Sequence, residues 1–158
     1  MASDLTRGSY AGKETTLARN TATHAAPIYS VMKRVRNVQV TDGPGLGEVN
    51  NHGAGSTGNI PGYDKFAGSF EYVRRRGVDP DYNALKTAKA NKSILCLRYL
   101  NDQPNVSGAE GWDAPVLLGE FSENSNGGDG VVVTIPFAKA DAFDANGDAV
   151  EKEDVVIA

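Results

Sequence analysis

The alternation of side chains along VVVTIPF (131–137) is the feature that most constrains the fold. Successive side chains of a β-strand point to opposite faces. One face of this segment is therefore wholly apolar, formed by Val131, Val133, Ile135 and Phe137. The pattern predicts a strand packed on a hydrophobic core. Because Pro136 has no amide hydrogen, we expect the strand to end there or to lie at a sheet edge.

Other segments extend this pattern. FAGSFEYVRRR (66–76) places Phe70 and Tyr72 on one face, and SILCLRYL (93–100), apolar on both faces, predicts a central strand. Residues 29–40 and 114–122 predict further strands, and the dipeptide Asn146-Gly147 predicts a hairpin. The expected fold is mainly β. It is an antiparallel sandwich or barrel of six or seven strands, with one flanking α-helix at about 80–90 and a long glycine-rich loop.

The helix has start and stop signals of its own. Asp79 is expected as the N-cap, with Pro80 at the first helical position and Asp81 near the positive end of the helix dipole. Asn91 suits the left-handed position after the last turn. One apolar stripe should pack this helix on the sheet, and it consists of Tyr82, Leu85 and Ala88.

Two polar segments lack apolar periodicity. Residues 1–27, rich in Thr and Ala, predict a flexible N-terminal arm, and residues 41–65, rich in Gly and Pro, predict a loop. We expect both segments to be mobile in an isolated subunit and ordered only in an assembly. At 158 residues the rest fits one domain, 28–158, which carries that loop.

Composition excludes several classes of protein. A formal net charge of −4 argues against a dedicated nucleic-acid binder, which normally carries a basic face. The single cysteine, Cys96, cannot form an intrachain disulfide. The first residues lack the apolar core of a secretory signal, and no stretch approaches the roughly 18 apolar residues of a membrane span. We therefore expect no membrane anchor.

The segment HGAGSTG (52–58) has the GxGxxG spacing of a dinucleotide-binding turn. That turn needs a helix N-terminus after it, because the helix dipole and the free amides hold the pyrophosphate. Pro61 and Gly62 forbid a helix here, and Asn59 stands where a P-loop needs lysine. We interpret these glycines as part of a flexible loop and expect no cofactor.

A calcium loop is also a poor match. Asp144, Asn146 and Asp148 have the spacing of its first ligands, but Ala149 and Val155 replace the glycine and the glutamate that it needs. A plain hairpin accounts for the same residues.

The remaining reactive residues form no recognisable site. His24 and His52 lie in the polar segments and Cys96 lies in a strand, so no metal ligand set is expected. No serine occupies a GxSxG elbow. The run 74–76 of three arginines is interpreted as a solvated strand end opposite acidic neighbours, and Trp112 as an anchor at the start of a strand. We expect neither a catalytic site nor a metal site.

Residues 29–138 resemble the tail tube proteins of long-tailed bacteriophages. The shared pattern runs from a strand into DxDYxxL, which opens a short helix, and continues through an apolar strand, a GxxGW loop, a VxxFS-type strand and DGVxVxIPF. The matching residues are Asp79, Asp81, Tyr82, Leu85, Gly108, Gly111, Trp112, Phe121, Ser122, Asp129, Gly130, Val131, Val133 and Ile135.

The resemblance implies a β-sandwich subunit that forms hexameric rings, which stack into a hollow tube for genome delivery. In that family a long loop between early strands reaches the adjacent ring, and 41–65 is where it would fall. The expected ring-contact residues are Gly45, Leu46, Val49, Asn51, His52, Gly55 and Ile60. The implied partners are the chain itself, tape-measure and tail-terminator proteins, and DNA as transiting, non-specific cargo. The implied location is the virion tail, assembled in the host cytoplasm.

Two other classes remain open. The first is another virion β-sandwich, such as a head-decoration or tail-tip module. The second is a small carbohydrate-binding domain or hydrolase. The form of the assembly separates the three classes, because only a tail tube protein is expected to form tubes of stacked rings.

Overall fold

A computed structural model of the chain describes residues 15–51, 56–126 and 130–158. This part contains eleven strands and one helix, so the expected mainly β class is confirmed, but the expected number of strands was too low. In chain order the elements are β1 (Thr16–Asn20), β2 (Tyr29–Val31), β3 (Val35–Asn51), β4 (Ser56–Val73), α1 (Pro80–Asn91), β5 (Leu95–Leu100), β6 (Glu110–Leu118), β7 (Ser122–Asn126), β8 (Gly130–Lys139), β9 (Ala142–Phe143), β10 (Ala149–Val150) and β11 (Glu153–Val156).

Nine of these strands form one antiparallel sheet. Its order is β2-β1-β5-β6-β8-β4-β3, with β11 paired to β6 and β7 paired to β8. β6 changes partner along its length, because 110–113 pair with β11 while 116–118 pair with β8. The sheet folds over here, so that Phe66 of β4 meets Trp112 of β6 edge to face at 4.8 Å between ring centroids.

The core lies inside this fold. The expected inner face of β8 is confirmed for Val133, Ile135 and Phe137, which are all buried. Phe70 and Tyr72 of β4 are buried beside them, as the alternation predicts. The core also includes side chains from other parts of the chain, among them Leu17, Met32, Leu85, Leu97, Ala114 and Val116.

The helix is confirmed at its start and along its apolar stripe. The Asp79 carboxylate accepts a hydrogen bond from the Tyr82 amide at 3.4 Å, and Tyr82, Leu85 and Ala88 are buried. The expected end was one residue early. Lys92, with φ 52°, takes the left-handed conformation instead of Asn91. Amides that follow the helix bond back to the carbonyls of Ala88 and Lys89, and this fixes the later end.

The expectation of a flexible arm at 1–27 was wrong for Thr16–Asn20, while 1–14 lie outside the described residues. These five residues form β1, between β2 and β5. Leu17 is only 2% exposed. Burial of this side chain against an available strand outweighs the polar composition of the segment. The segment 29–40, expected as one strand, is divided into β2 and the start of β3.

The expectation of a loop at 41–65 was also wrong. Residues 42–51 and 56–65 continue β3 and β4 as paired strands, from Asp42↔Phe66 to Asn51↔Ser56. Glycine weakens a strand but keeps both backbone hydrogen-bonding groups, so the ladder that begins in the core extends through it. Gly62 has a specific role, because a Cβ there would lie 3.1 Å from the Gly45 carbonyl oxygen at a register shift.

Two strand boundaries also differ from expectation. The segment 114–122 is divided between β6 and β7, and Trp112 lies within β6 instead of at its start. Pro136 neither ends β8 nor lies at an edge, since β8 runs to Lys139 with neighbours on both sides. The Pro136 carbonyl accepts from Gly119, where β6 has just ended. Its missing N–H points to the same side, between β6 and β7, where no ladder bond is lost.

The hairpin at Asn146-Gly147 is confirmed between β9 and β10. The Asp144 carboxylate accepts from the amides of Asn146 and Asp148, each at 2.9 Å. Gly147 has φ +83°. The spacing that resembled a calcium loop thus serves a turn.

Candidate assembly surfaces

The outer part of the β3–β4 pair projects from the domain. We call residues 42–51 and 56–65 the ribbon and the rest of the described chain the body. β4 pairs with β8 only from Ala67 to Val73, and among the described strands those of the ribbon pair only with each other. Ten residues of strand span about 30 Å. The ribbon is therefore a two-stranded projection as long as β8, which has ten residues.

The ribbon exposes large apolar side chains. Tyr63 is 93% exposed, Leu46 72% and Ile60 54%. Isolated exposed apolar residues are ordinary on a protein surface, but these three lie on one thin element that has no core. A two-stranded hairpin is marginally stable alone in water. This geometry fits an element that is completed by contact with another molecule.

Most of the expected ring-contact residues lie on the ribbon. Gly45, Leu46, Val49 and Asn51 are in β3, and Ile60 is in β4. His52 and Gly55 lie outside the described residues. Gly58 of the GxGxxG segment lies in β4, which continues as a strand to Val73. The structure brings these positions onto one element, and their role in contact stays a prediction.

Lys152 holds the base of the ribbon. Its ammonium lies 2.6 Å from the Asp42 carboxylate and 3.0 Å from that of Asp154. The hydrogen bond to Asp42 and then that to Asp154 raise the pKa of Lys152. Sequence reasoning missed this residue, because 110 positions separate Lys152 from Asp42 and no local motif links them.

The helix is fixed to the body by a buried polar contact. The Tyr72 hydroxyl donates to the Asp79 carboxylate at 2.6 Å, and the same carboxylate caps the helix. Burial first, and then the hydrogen bond to Asp79, raise the pKa of Tyr72 above its ordinary value of 10.0. Tyr72 and Tyr82 also stack, with ring centroids 5.6 Å apart. The helix-packing residues expected from the sequence are thus in place.

Several strands offer free edges. Within the described chain β2 and β3 end the sheet, and β7 and β11 each have a single neighbour. A free edge presents unpaired N–H and C=O groups to which another chain can add a strand. The edges of β2, β7 and β11 belong to the body, whereas that of β3 continues along the ribbon.

The remaining reactive side chains show little that suggests catalysis. His24 and Cys96 line one shallow groove, and burial raises the pKa of the Cys96 thiol, which disfavours the reactive thiolate. No group of three or more His, Cys, Asp or Glu side chains within 15–51, 56–126 and 130–158 is arranged to hold a metal ion. In the same ranges no helix has the length and apolarity to cross a membrane.

Solved structures share this fold, although the sequence matches no family model and no curated protein. The chain is similar to a chain of the SPP1 tail tube, with a TM-score of 0.67 and 12% identity over 94% of this chain and 80% of that one. A chain in the tail of an empty gene transfer agent particle has a TM-score of 0.63 and 12% identity, over 85% of this chain and 96% of that one. A chain of the PVC sheath–tube complex, from an extracellular contractile injection system, has a TM-score of 0.60 and 9% identity, over 95% of this chain and 93% of that one. The resemblance is thereby confirmed for the fold: the chain has the fold found in phage tail tubes.

Proposed function

We propose that this protein is the structural subunit of a tail tube, which assembles into rings that stack into a conduit for a genome. The observation that carries the proposal is the ribbon. It is a projection of about 30 Å with exposed Leu46, Ile60 and Tyr63, on a body whose fold is shared with tail tube chains.

The ribbon supports axial stacking. A strand pair without a core gains little from folding alone, because each fixed residue costs roughly 1–2 kcal/mol of backbone entropy. Contact with the next ring would bury Leu46, Ile60 and Tyr63 and offset this cost. The expected contact residues Gly45, Val49, Asn51, His52 and Gly55 belong to the same proposal.

The free sheet edges support ring formation. Pairing of β-strand edges between neighbours would satisfy their unpaired backbone groups around a closed ring. The similar gene transfer agent tail has C6 symmetry. We infer a ring of six subunits for this chain as well.

The location and the other partners follow from this role. We infer a place in a virion tail, assembled in the host cytoplasm, with tape-measure and tail-terminator proteins as further partners. DNA passes through as non-specific cargo, and the net charge of −4 suits a conduit that must not retain it, since binding scales with the phosphates that a protein neutralises. The protein is not an enzyme in this proposal.

Electron microscopy of the purified, concentrated protein tests the proposal. Tubes of stacked rings are the expected result, and amides of the ribbon should exchange hydrogen quickly in the free subunit and slowly in tubes. Trimers or monomers alone would favour a head-decoration or tail-tip module. Hydrolysis or binding of a sugar without any polymer would favour the enzyme or carbohydrate-binding alternative.

A further inference from the structure

The two ends of the β3–β4 pair differ in character. At one end β3 begins and β4 finishes, where Val35 pairs with Tyr72. At the other end the same strands leave the body as the ribbon. Seven residues of β4, from Ala67 to Val73, separate the two ends, which is about 24 Å of strand. The ribbon and the end at which Val35 pairs with Tyr72 therefore lie on opposite sides of the body.

The end opposite the ribbon is basic, and we call it the basic pole. Lys33 and Arg34 lie just before β3, and Arg75 and Arg76 just after β4; all four are exposed. Among the residues that the structure describes, none of the four has a carboxylate within salt-bridge distance. The neighbouring Val78 adds an apolar side chain that is 73% exposed.

Two arginines next to the basic pole, in contrast, are paired with carboxylates. Arg36 pairs with Glu71 at 3.0 Å, and Arg74 pairs with Glu123 at 2.7 Å. The interpretation of 74–76 as a strand end opposite acidic neighbours is thus confirmed for Arg74 alone. The Arg75 guanidinium donates to the Val78 carbonyl of its own turn, so that within the described chain Lys33, Arg34 and Arg76 are the cations left for a partner.

The ribbon carries the opposite charge. Its described residues contain three carboxylates, Asp42, Glu48 and Asp64, against one ammonium, Lys65. Asp42 is paired with Lys152. Glu48 and Asp64 are exposed and have no salt bridge within the described chain, and they lie close in sequence to the exposed apolar side chains of the ribbon.

Resting on the proposed function, we propose that the ribbon of one copy docks on the basic pole of the next copy along the tube. Glu48 and Asp64 would face the cations of the pole, while the apolar side chains of the ribbon would cover Val78. A surface at one end that fits a different surface at the other end is a heterologous contact, which continues without limit when it does not close. Complementary charge also sets one polarity for stacking, because ribbon against ribbon or pole against pole brings like charges together.

A charge exchange tests the pairing. The pole variant carries Lys33→Glu and Arg76→Glu, and the ribbon variant carries Glu48→Lys and Asp64→Lys. All four side chains are exposed, so the variants should fold, as circular dichroism would verify. A control with Lys86→Glu and Lys89→Glu, both exposed on α1, makes the same change in net charge as the pole variant. Electron microscopy then counts the rings in each tube.

We expect the pole variant and the ribbon variant each to lose long tubes. The chain that combines all four substitutions should regain them, and the control should form tubes like the wild type. Failure of the combined chain, or equal loss in the control, would overturn the pairing.

Two further results separate this inference from the proposed function. Full-length tubes from the pole variant would overturn the inference and leave the tube function standing, and a simultaneous loss of binding to immobilised double-stranded DNA would assign those cations to phosphate. A wild type that forms no tubes would contradict the proposed function, and the inference would fall with it.

Discussion

β3 and β4 keep the ladder that joins them through two environments that differ in burial. In the body, β4 has neighbours on both sides and buries Phe66, Phe70 and Tyr72. In the ribbon the same two strands keep their ladder, yet Leu46 and Tyr63 stand in solvent. The ladder therefore sets the shape of both regions, while apolar burial stabilises only one of them. The following changes test this contrast in order of expected effect.

The largest expected effect on stability is in the body. Leu85→Ala removes a side chain that is fully buried between helix and sheet. Truncations of this kind cost about 2–5 kcal/mol, so the midpoint of thermal or denaturant unfolding should fall clearly. An unchanged midpoint would mean that α1 adds nothing to the core.

A smaller effect is expected at the hydrogen bond between Tyr72 and Asp79. Tyr72→Phe removes the donor and should cost about 1.5–3 kcal/mol, the range for a hydrogen bond to a charged group. Because the folded protein raises the pKa of Tyr72 above 10.0, the hydroxyl contributes fully below that pH and its contribution falls as the pH rises further.

The difference in unfolding free energy between wild type and Tyr72→Phe should thus be constant from neutral pH to about pH 10 and shrink above it. Denaturant titrations at several pH values measure this. A difference that grows with rising pH would contradict the assignment, and Tyr99→Phe serves as a control because the Tyr99 hydroxyl has no such carboxylate partner in the described chain.

The smallest effect is expected on the ribbon. Leu46→Ser, at a side chain 72% exposed, should change the stability of the free subunit by less than about 0.5 kcal/mol. The same substitution should reduce the length of tubes. A loss of subunit stability comparable to that of Leu85→Ala would show that the ribbon packs on its own body, and the contrast would fail.

The sequence predicts the parts of this fold in which local signals and burial agree. The N-cap and apolar stripe of α1, the inner face of β8 at Val133, Ile135 and Phe137, and the turn at Asn146-Gly147 were expected correctly. β1 was missed because it is short and its partner β5 lies about 80 residues further along the chain. The ribbon was mistaken for a loop because glycine and proline dominate its composition, whereas its pairing continues a ladder that begins in the core.

The candidate assembly surfaces could likewise be predicted only where the sequence carries a local signal. The resemblance points to 41–65 as the proposed stacking element, but its form as a ribbon could not be predicted from the sequence. The run of arginines at 74–76 was visible in the sequence, yet only the fold shows that Arg74 is paired with Glu123 while Arg76 is not, and that this end lies opposite the ribbon. Contacts between distant positions, such as Lys152 with Asp42, have no local signal.

Removal of the ribbon tests the central claim most directly. Pro44 and Asp64 are paired, so replacement of residues 45–63 by Asn-Gly would close the strands with a tight turn. Circular dichroism and thermal unfolding should show a folded body, because the deleted part adds little buried apolar area. Electron microscopy should then show single rings or free subunits where the wild type forms long tubes. Long tubes from the shortened chain would contradict the claim that the ribbon joins one ring to the next.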